Sequence, residues 1–70
     1  MLKKIVLTGA AGNLGQQLRQ TLSTMCEQLV STDLQPVGET LPNETFVQAD
    51  LSDLEAIVAL SEGADQIVHF

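Results

Sequence analysis

The sequence predicts an α/β fold built on a parallel sheet, and three observations support this prediction. Apolar runs typical of buried strands alternate with stretches whose apolar residues recur at helical spacing. A glycine-rich turn joins the first apolar run to the first helical stretch, and two prolines and a glycine argue against a helix over residues 34–44. The resulting order is strand, helix, strand, strand, helix, strand. Right-handed crossovers then give the strand order 3-2-1-4.

The first strand is predicted over Lys3–Thr8, with Ile5–Leu7 buried on both faces. The turn Thr8–Gly15 follows it, with glycines at positions 9, 12 and 15. A helix begins at about residue 12 or 13 and ends at about residue 25. A strand, a glycine turn and a helix in this order are typical of a dinucleotide pyrophosphate site, although a merely glycine-rich turn would look the same.

Each glycine has a separate predicted role in this turn. Gly9 allows the chain to leave the strand sharply, where a Cβ would demand a costly φ. Gly12 leaves room for phosphate oxygens beside backbone N–H groups, and Gly15 allows the helix to pack closely on the strand. These N–H groups and the helix dipole would hold the anion without a lysine. A phosphate loop of the G-x-x-x-x-G-K-[ST] type is excluded because Leu14 stands five residues after Gly9 and no lysine follows.

The first helix is predicted to be amphipathic. Four apolar residues form its inward stripe: Leu14, Leu18, Leu22 and Met25. Four polar residues are predicted to face water: Gln16, Gln17, Arg19 and Gln20. Cys26, the single cysteine, is placed at the end of this helix as a small reduced residue, since one thiol cannot form an internal disulfide.

The rest of the chain supplies three strands and a helix. The strands are predicted over 28–32, 45–48 and 65–70. Ser52 and Glu55 form a capping box for the second helix, which Gly63 ends. The buried stripe of that helix consists of Leu54, Ile57 and Val58, with Ser61 as a further candidate.

Acidic residues follow the second and third strands, at the sheet edge where a ligand would bind beside the switch point between strands 1 and 4. Asp33 lies 18 residues after Gly15, where a carboxylate accepts the hydroxyls of an adenosine ribose and repels a 2′-phosphate. Leu34 and Gln35 follow without an Arg or Lys, so NAD is predicted over NADP. The alternative for Asp33 is a turn residue at a strand end. Asp50 is placed to form a hydrogen bond with the adenine amino group, with Leu51 packing on the ring. An ordinary acidic loop residue is an equally good interpretation of Asp50.

Composition narrows the classes of function. Nine acids against three bases give a net charge of −6, which argues against a nucleic-acid surface. No metal cluster, transmembrane-length run or signal peptide is predicted, so a cytoplasmic location is the default. His69 is interpreted as a strand residue because no carboxylate or nucleophile lies near it in sequence. Phe70, at the end of the fourth strand, is a further candidate for contact with the cofactor.

At this point the motifs resemble the extended short-chain dehydrogenase/reductase family. The resemblance rests on the glycine turn, Asp33, Asp50-Leu51 and Ile67-Val68-His69, and it covers all 70 residues. Within this family the run Val6–Gly15 and the stretch Gln48–Asp53 are similar to uronate dehydrogenases. So is the pattern Asp33-Leu34-x-Pro36, although sugar-nucleotide epimerases and dehydratases share most of these positions.

The resemblance implies the first half of a doubly wound Rossmann-type domain that binds NAD. It implies a set of cofactor-binding residues: Gly9, Gly12, Asn13, Leu14, Gly15, Asp33, Leu34, Asp50, Leu51 and Phe70. It also implies hydride transfer from a sugar or sugar acid, with a homo-oligomer left open. The family's catalytic Tyr-x-x-x-Lys is expected beyond residue 70, as is the substrate half of the fold, because the chain has no tyrosine. A sugar-nucleotide epimerase or dehydratase, a non-catalytic NAD sensor and an inactive truncated product stay open as alternatives.

Overall fold

A computed structural model describes residues 1–50 and 54–69. Four strands and two helices follow one another in the chain: β1 (Leu2–Thr8), α1 (Asn13–Ser23), β2 (Cys26–Asp33), β3 (Glu44–Gln48), α2 (Leu54–Ser61) and β4 (Gln66–His69). The strands form one parallel sheet in the order β3-β2-β1-β4. The predicted fold class and strand order are therefore confirmed.

The core lies at the centre of the sheet and beneath α1. Ile5, Val6 and Leu7 of β1 are all fully buried, which confirms the prediction that both faces of this strand are covered. On one face Ile5 and Leu7 pack with Leu29 of β2 and with residues of α1. Burial of these aliphatic side chains stabilises the sheet by about 1.5–3 kcal/mol each.

The ends of several elements differ from the predictions. Helix α1 ends at Ser23 rather than near Met25, because the chain closes with hydrogen bonds of the last turn: the Thr24 hydroxyl donates to Thr21 O at 2.7 Å, and the Met25 N–H donates to Leu22 O at 2.9 Å. Strand β2 consequently begins at Cys26, which is buried in the sheet and not at the end of the helix. Burial raises the pKa of the Cys26 thiol.

Four side chains do not lie on the faces predicted for them. Leu14 is 61% exposed and Met25 is 48% exposed, because the first lies in the opening turn of α1 and the second lies beyond its end. Arg19 was predicted to face water, but it is only 5% exposed. Val58 of α2 was assigned to a buried stripe and is exposed.

Other predictions about the connections hold. Residues 34–43 contain no helix, and Gly38 there has a φ of +86°. Gly63 follows α2 with a φ of +75°, as expected of a glycine that ends a helix. Ser52 of the predicted capping box lies outside the described residues. Among the described residues, no helix is both long enough and apolar enough to cross a membrane.

Candidate dinucleotide site

The glycine turn leaves β1 with a backbone conformation that only glycine adopts readily. Gly9 has a φ of +74°, in the left-handed region. Its N–H donates to Thr32 O at 3.0 Å, and the Ala10 N–H donates to the same oxygen at 3.3 Å. The start of the turn is therefore held on the end of β2, next to the position of Asp33.

Gly15 and Gly12 differ in the space around them. A Cβ on Gly15 would lie 2.2 Å from Gly9 O and 2.9 Å from two backbone atoms of Ala10. Close packing at Gly15 is thus real, but its partner is the backbone of the turn rather than the strand. A Cβ on Gly12 would meet only Gly9 O, at an ordinary 3.7 Å, and Gly12 has a φ of −72°. The protein alone does not require glycine at position 12.

The first turn of α1 has the features of an anion site. Its N-cap is Gly12, so no side chain caps the helix, and the first turn carries no acidic residue. The opening residues Asn13 and Leu14 are exposed. Uncapped N–H groups together with the positive end of the helix dipole bind anions such as phosphate.

The Asp33 carboxylate, at the end of β2, is hydrogen-bonded to the glycine turn and to the loop that follows β2. Its Oδ2 accepts the N–H of Ala11 at 3.1 Å, and its Oδ1 accepts the N–H of Gln35 at 3.1 Å. A carboxylate offers about four lone-pair positions, so each oxygen retains capacity for a hydroxyl donor. Asp33 is half-buried, so it is accessible from solvent.

The end of β3 lies beside Asp33, at the end of β2. The Ala49 N–H donates to Asp33 O at 3.1 Å, which brings the exposed residue Asp50 beside the end of β2. Gln48 Nε2 donates to Leu34 O at 2.8 Å, and the Leu34 side chain is exposed. On the other side, Thr8 is in register with His69 of β4. Leu51 and Phe70, the remaining predicted cofactor residues, lie outside the described residues.

Sequence reasoning missed a buried ion pair behind this site. Arg19 Nη2 lies 2.5 Å from Glu44 Oε1, and Arg19 Nε donates to Glu44 Oε2 at 2.7 Å. Burial raises the pKa of Glu44, but hydrogen bonds from Arg19, Ser31 and the Leu41 N–H, with the charge of Arg19, lower it to about 2. The hydrogen bond to Glu44 also raises the pKa of Arg19. A lone arginine on a helix gives no signal of a partner 25 residues away.

The geometry fits an adenosine diphosphate moiety. The uncapped amino end of α1, the Asp33 carboxylate and the exposed Asp50 lie together at the carboxyl ends of β1, β2 and β3, where ligands of parallel α/β sheets bind. No group of three or more metal-ligating side chains occurs among the residues that the structure describes.

No protein-family model matches the sequence. Over 68 residues it is 41% identical to a uronate dehydrogenase of Pseudomonas putida and 46% identical to one of Agrobacterium fabrum. These alignments cover 96% and 97% of this chain, but only 25% and 26% of the relatives. The chain thus spans about a quarter of the length of the curated relatives that it matches.

Solved structures agree with this similarity. A mutant uronate dehydrogenase from Agrobacterium tumefaciens, complexed with NAD, has a TM-score of 0.91 and 44% identity over 100% of this chain and 26% of that one. An enzyme of Bordetella bronchiseptica in complex with NAD⁺ has a TM-score of 0.83 and 26% identity over the same shares. This chain is therefore a homologue, along about a quarter of their length, of the uronate dehydrogenases, and it has their Rossmann-type fold.

Proposed function

We propose that this chain binds NAD and forms part of the cofactor-binding domain of an oxidoreductase that acts on a uronate. One observation carries the proposal: the carboxylate of Asp33 is hydrogen-bonded to Ala11, inside the glycine turn that precedes the uncapped end of α1. One hydrogen-bonded unit thus offers N–H groups for a pyrophosphate and a carboxylate for a ribose. The uronate dehydrogenases that resemble the chain, one of them complexed with NAD, support the choice of cofactor and substrate class.

Each predicted cofactor residue has a role in this proposal. Gly9 shapes the turn, Gly12 leaves room for the phosphates, and Gly15 seats the helix. The N–H groups of Asn13 and Leu14 face the pyrophosphate, while Asp33 and Leu34 hold the adenosine ribose. Asp50 and Leu51 hold the adenine, and Phe70 completes the site. Bound NAD would accept a hydride from the substrate.

Catalysis needs residues that this sequence does not contain. The chain has no tyrosine, and its lysines are Lys3 and Lys4, at the amino end of β1. Lys4 Nζ donates to Glu62 O at 3.0 Å, at the opposite end of the strand from the turn. We therefore expect these 70 residues alone to have no dehydrogenase activity. The substrate half of the fold would be supplied by further residues, as the length of the relatives suggests.

A second candidate is an NAD-dependent epimerase or dehydratase acting on a sugar nucleotide. The motifs that sugar-nucleotide epimerases and dehydratases share with this sequence support it, whereas the identities of 41% and 46% to uronate dehydrogenases favour the first candidate. Both candidates use the same cofactor site, so activity assays with a uronate and with a sugar nucleotide separate them when they are made on a protein of the relatives' full length that contains this chain. A non-catalytic NAD sensor would show binding and neither activity. A cytoplasmic location and the absence of nucleic-acid partners remain predictions.

The decisive test is a titration of the isotope-labelled chain with NAD, followed by NMR. We expect the amide signals of residues 11–15 to shift, and Gly12→Val to abolish these shifts because its branched side chain would occupy the phosphate position. Since a Cβ at Gly12 meets no close neighbour, the free energy of unfolding should change by less than about 1 kcal/mol. Unchanged NAD binding by Gly12→Val would contradict the site.

Asp33 tests the choice between NAD and NADP. In the unmodified chain we expect NAD to bind more tightly, because the carboxylate accepts ribose hydroxyls and repels a 2′-phosphate. Asp33→Asn removes the charge while leaving an oxygen for the Ala11 N–H, and should reduce the preference by about tenfold, or 1.4 kcal/mol. Calorimetric titration with both nucleotides measures this ratio. Equal or tighter binding of NADP by the unmodified chain would overturn the assignment.

A further inference from the structure

The ion pair of Arg19 and Glu44 is connected to the loop that begins at Asp33. This loop, residues 34–43, runs from the end of β2 to the start of β3. Arg19 Nη2 donates to Glu39 O at 2.9 Å, and the Leu41 N–H donates to Glu44 Oε1 at 2.9 Å. Arg19 Nη1 also donates to Gln16 Oε1, and Gln16 Nε2 donates to Val37 O at 3.3 Å. Side chains of α1 and β3 therefore hold the backbone of the loop at three alternate residues.

A buried ion pair adds little net stability, so stability alone does not explain this arrangement. Taking two charges out of water costs several kcal/mol each, and apolar residues of similar size often replace a buried ion pair without loss of stability. Apolar side chains cannot, however, form hydrogen bonds with Glu39 O and the Leu41 N–H. What the ion pair adds is a fixed course for the loop backbone.

The other end of the loop is the ribose end of the proposed site. The Gln35 N–H donates to Asp33 Oδ1, and Leu34 O accepts from Gln48 Nε2. Movement of the loop would therefore displace the residues whose hydrogen bonds orient the Asp33 carboxylate. Arg19, which holds the loop, is the one arginine of the sequence, and Glu44 binds its guanidinium.

We propose that Arg19 and Glu44 are positioning residues for the adenosine ribose. By holding residues 37–41 against α1, they keep the first residues of the loop, and with them the Asp33 carboxylate, in the geometry that accepts ribose hydroxyls. This inference rests on the proposed binding of NAD. It assigns a role in cofactor affinity to two side chains that need not touch the cofactor.

The test is the double variant Arg19→Met with Glu44→Leu, which fills the same space without charge. We expect it to unfold cooperatively and to bind NAD about tenfold more weakly than the unmodified chain. An NAD analogue whose adenosine ribose lacks both the 2′- and the 3′-hydroxyl should bind both proteins almost equally, because the contacts to Asp33 are absent from it. A purely structural role would weaken both ligands alike, and that result would overturn the proposal.

Two further variants keep the result interpretable. Asn43→Ala removes hydrogen bonds to Ser23 O and Cys26 O, at the end of β2 remote from Asp33, and should leave the ratio of the two ligands unchanged. If the double variant does not fold, Gln16→Leu removes the bond to Val37 O and the bond from Arg19 Nη1, leaves the Arg19–Glu44 pair in place, and should give a smaller shift of the same ratio. An unchanged ratio in Gln16→Leu would then overturn the proposal.

Hydrogen exchange separates this inference from the proposed function. If the unmodified chain does not bind NAD, the proposed function fails, and amide exchange at Ala11 and Gln35 decides the remaining question. Both N–H groups donate to Asp33, so the double variant should exchange them faster than the unmodified chain. Unchanged exchange at these two amides would show that the ion pair does not position Asp33.

Discussion

The two ends of the chain are built differently. Between residues 2 and 48, the central strands are buried, α1 packs on them, and a buried ion pair links α1 to β3. Between residues 54 and 69, every side chain whose burial the structure describes is exposed or half-buried. Here β4 pairs with β1, and Asp65 accepts the N–H groups of Lys3 and Lys4 at 2.6 and 3.1 Å. These bonds to the backbone of Lys4 and Lys3 lower the pKa of Asp65.

The proposed cofactor site therefore depends mostly on the better-packed part. The glycine turn, Asp33 and the loop 34–43 all belong to residues 2–48, and their hydrogen bonds connect them with one another. The segment that contains α2 and β4 is joined to this part through the pairing of β4 with β1. We expect changes in the first part to alter folding and binding together, and changes in the second to alter chiefly the surface and association of the chain.

The largest effect is expected from Gly15→Val, in the better-packed part. A Cβ would overlap Gly9 O at 2.2 Å, and neither backbone segment can move without breaking the turn. We expect a loss of about 3 kcal/mol or more, enough to abolish a cooperative urea transition in a domain of this size. Circular dichroism measures the transition, with Gly12→Val as the matched control. Equal transitions in the two variants would show that the close packing at Gly15 is not needed.

A smaller effect, which depends on pH, is expected from Glu44→Gln. Breaking one side of a buried ion pair costs about 3 kcal/mol at pH 7. The pKa of Glu44 is lowered from 4.5 to about 2 on folding, so its ionised form stabilises the native state above pH 4.5. That contribution is lost as the pH falls from 4.5 through about 2. Urea midpoints measured from pH 7 to pH 3 should therefore converge for the two proteins, and a constant difference would contradict this account.

The smallest effect on stability is expected at the sheet edge formed by β4. Ile67 is half exposed there, and an apolar strand edge without a neighbour favours association between chains. We expect the unmodified chain to associate in sedimentation experiments. Ile67→Lys should lower that association while changing the free energy of unfolding by less than about 1 kcal/mol. A monodisperse monomer at ordinary protein concentration would show that the edge does not cause association.

Sequence periodicity predicted the order of the elements because strand and helix patterns are local. The positive φ values of Gly9 and Gly63 were predictable for the same reason, since each follows from a strand end or a helix end. The surroundings of individual side chains were less predictable. Arg19 was assigned to water because charged residues usually face it, whereas its burial depends on Glu44, which is distant in sequence. Leu14 fits an apolar stripe, but it lies in the first turn of α1, where its side chain is exposed.

The hydrogen bonds from the glycine turn to Thr32 O have a consequence for the order of folding. They join residues separated by more than 20 positions, so the turn cannot reach its final shape as a local hairpin would. Its geometry becomes fixed only when β2 has docked beside β1 and α1 has closed the crossover between them. The shape of the glycine turn is thus a product of the first parallel strand pair rather than a nucleus for it. During synthesis, the proposed phosphate site therefore cannot take its final shape before residues 1–33 have emerged.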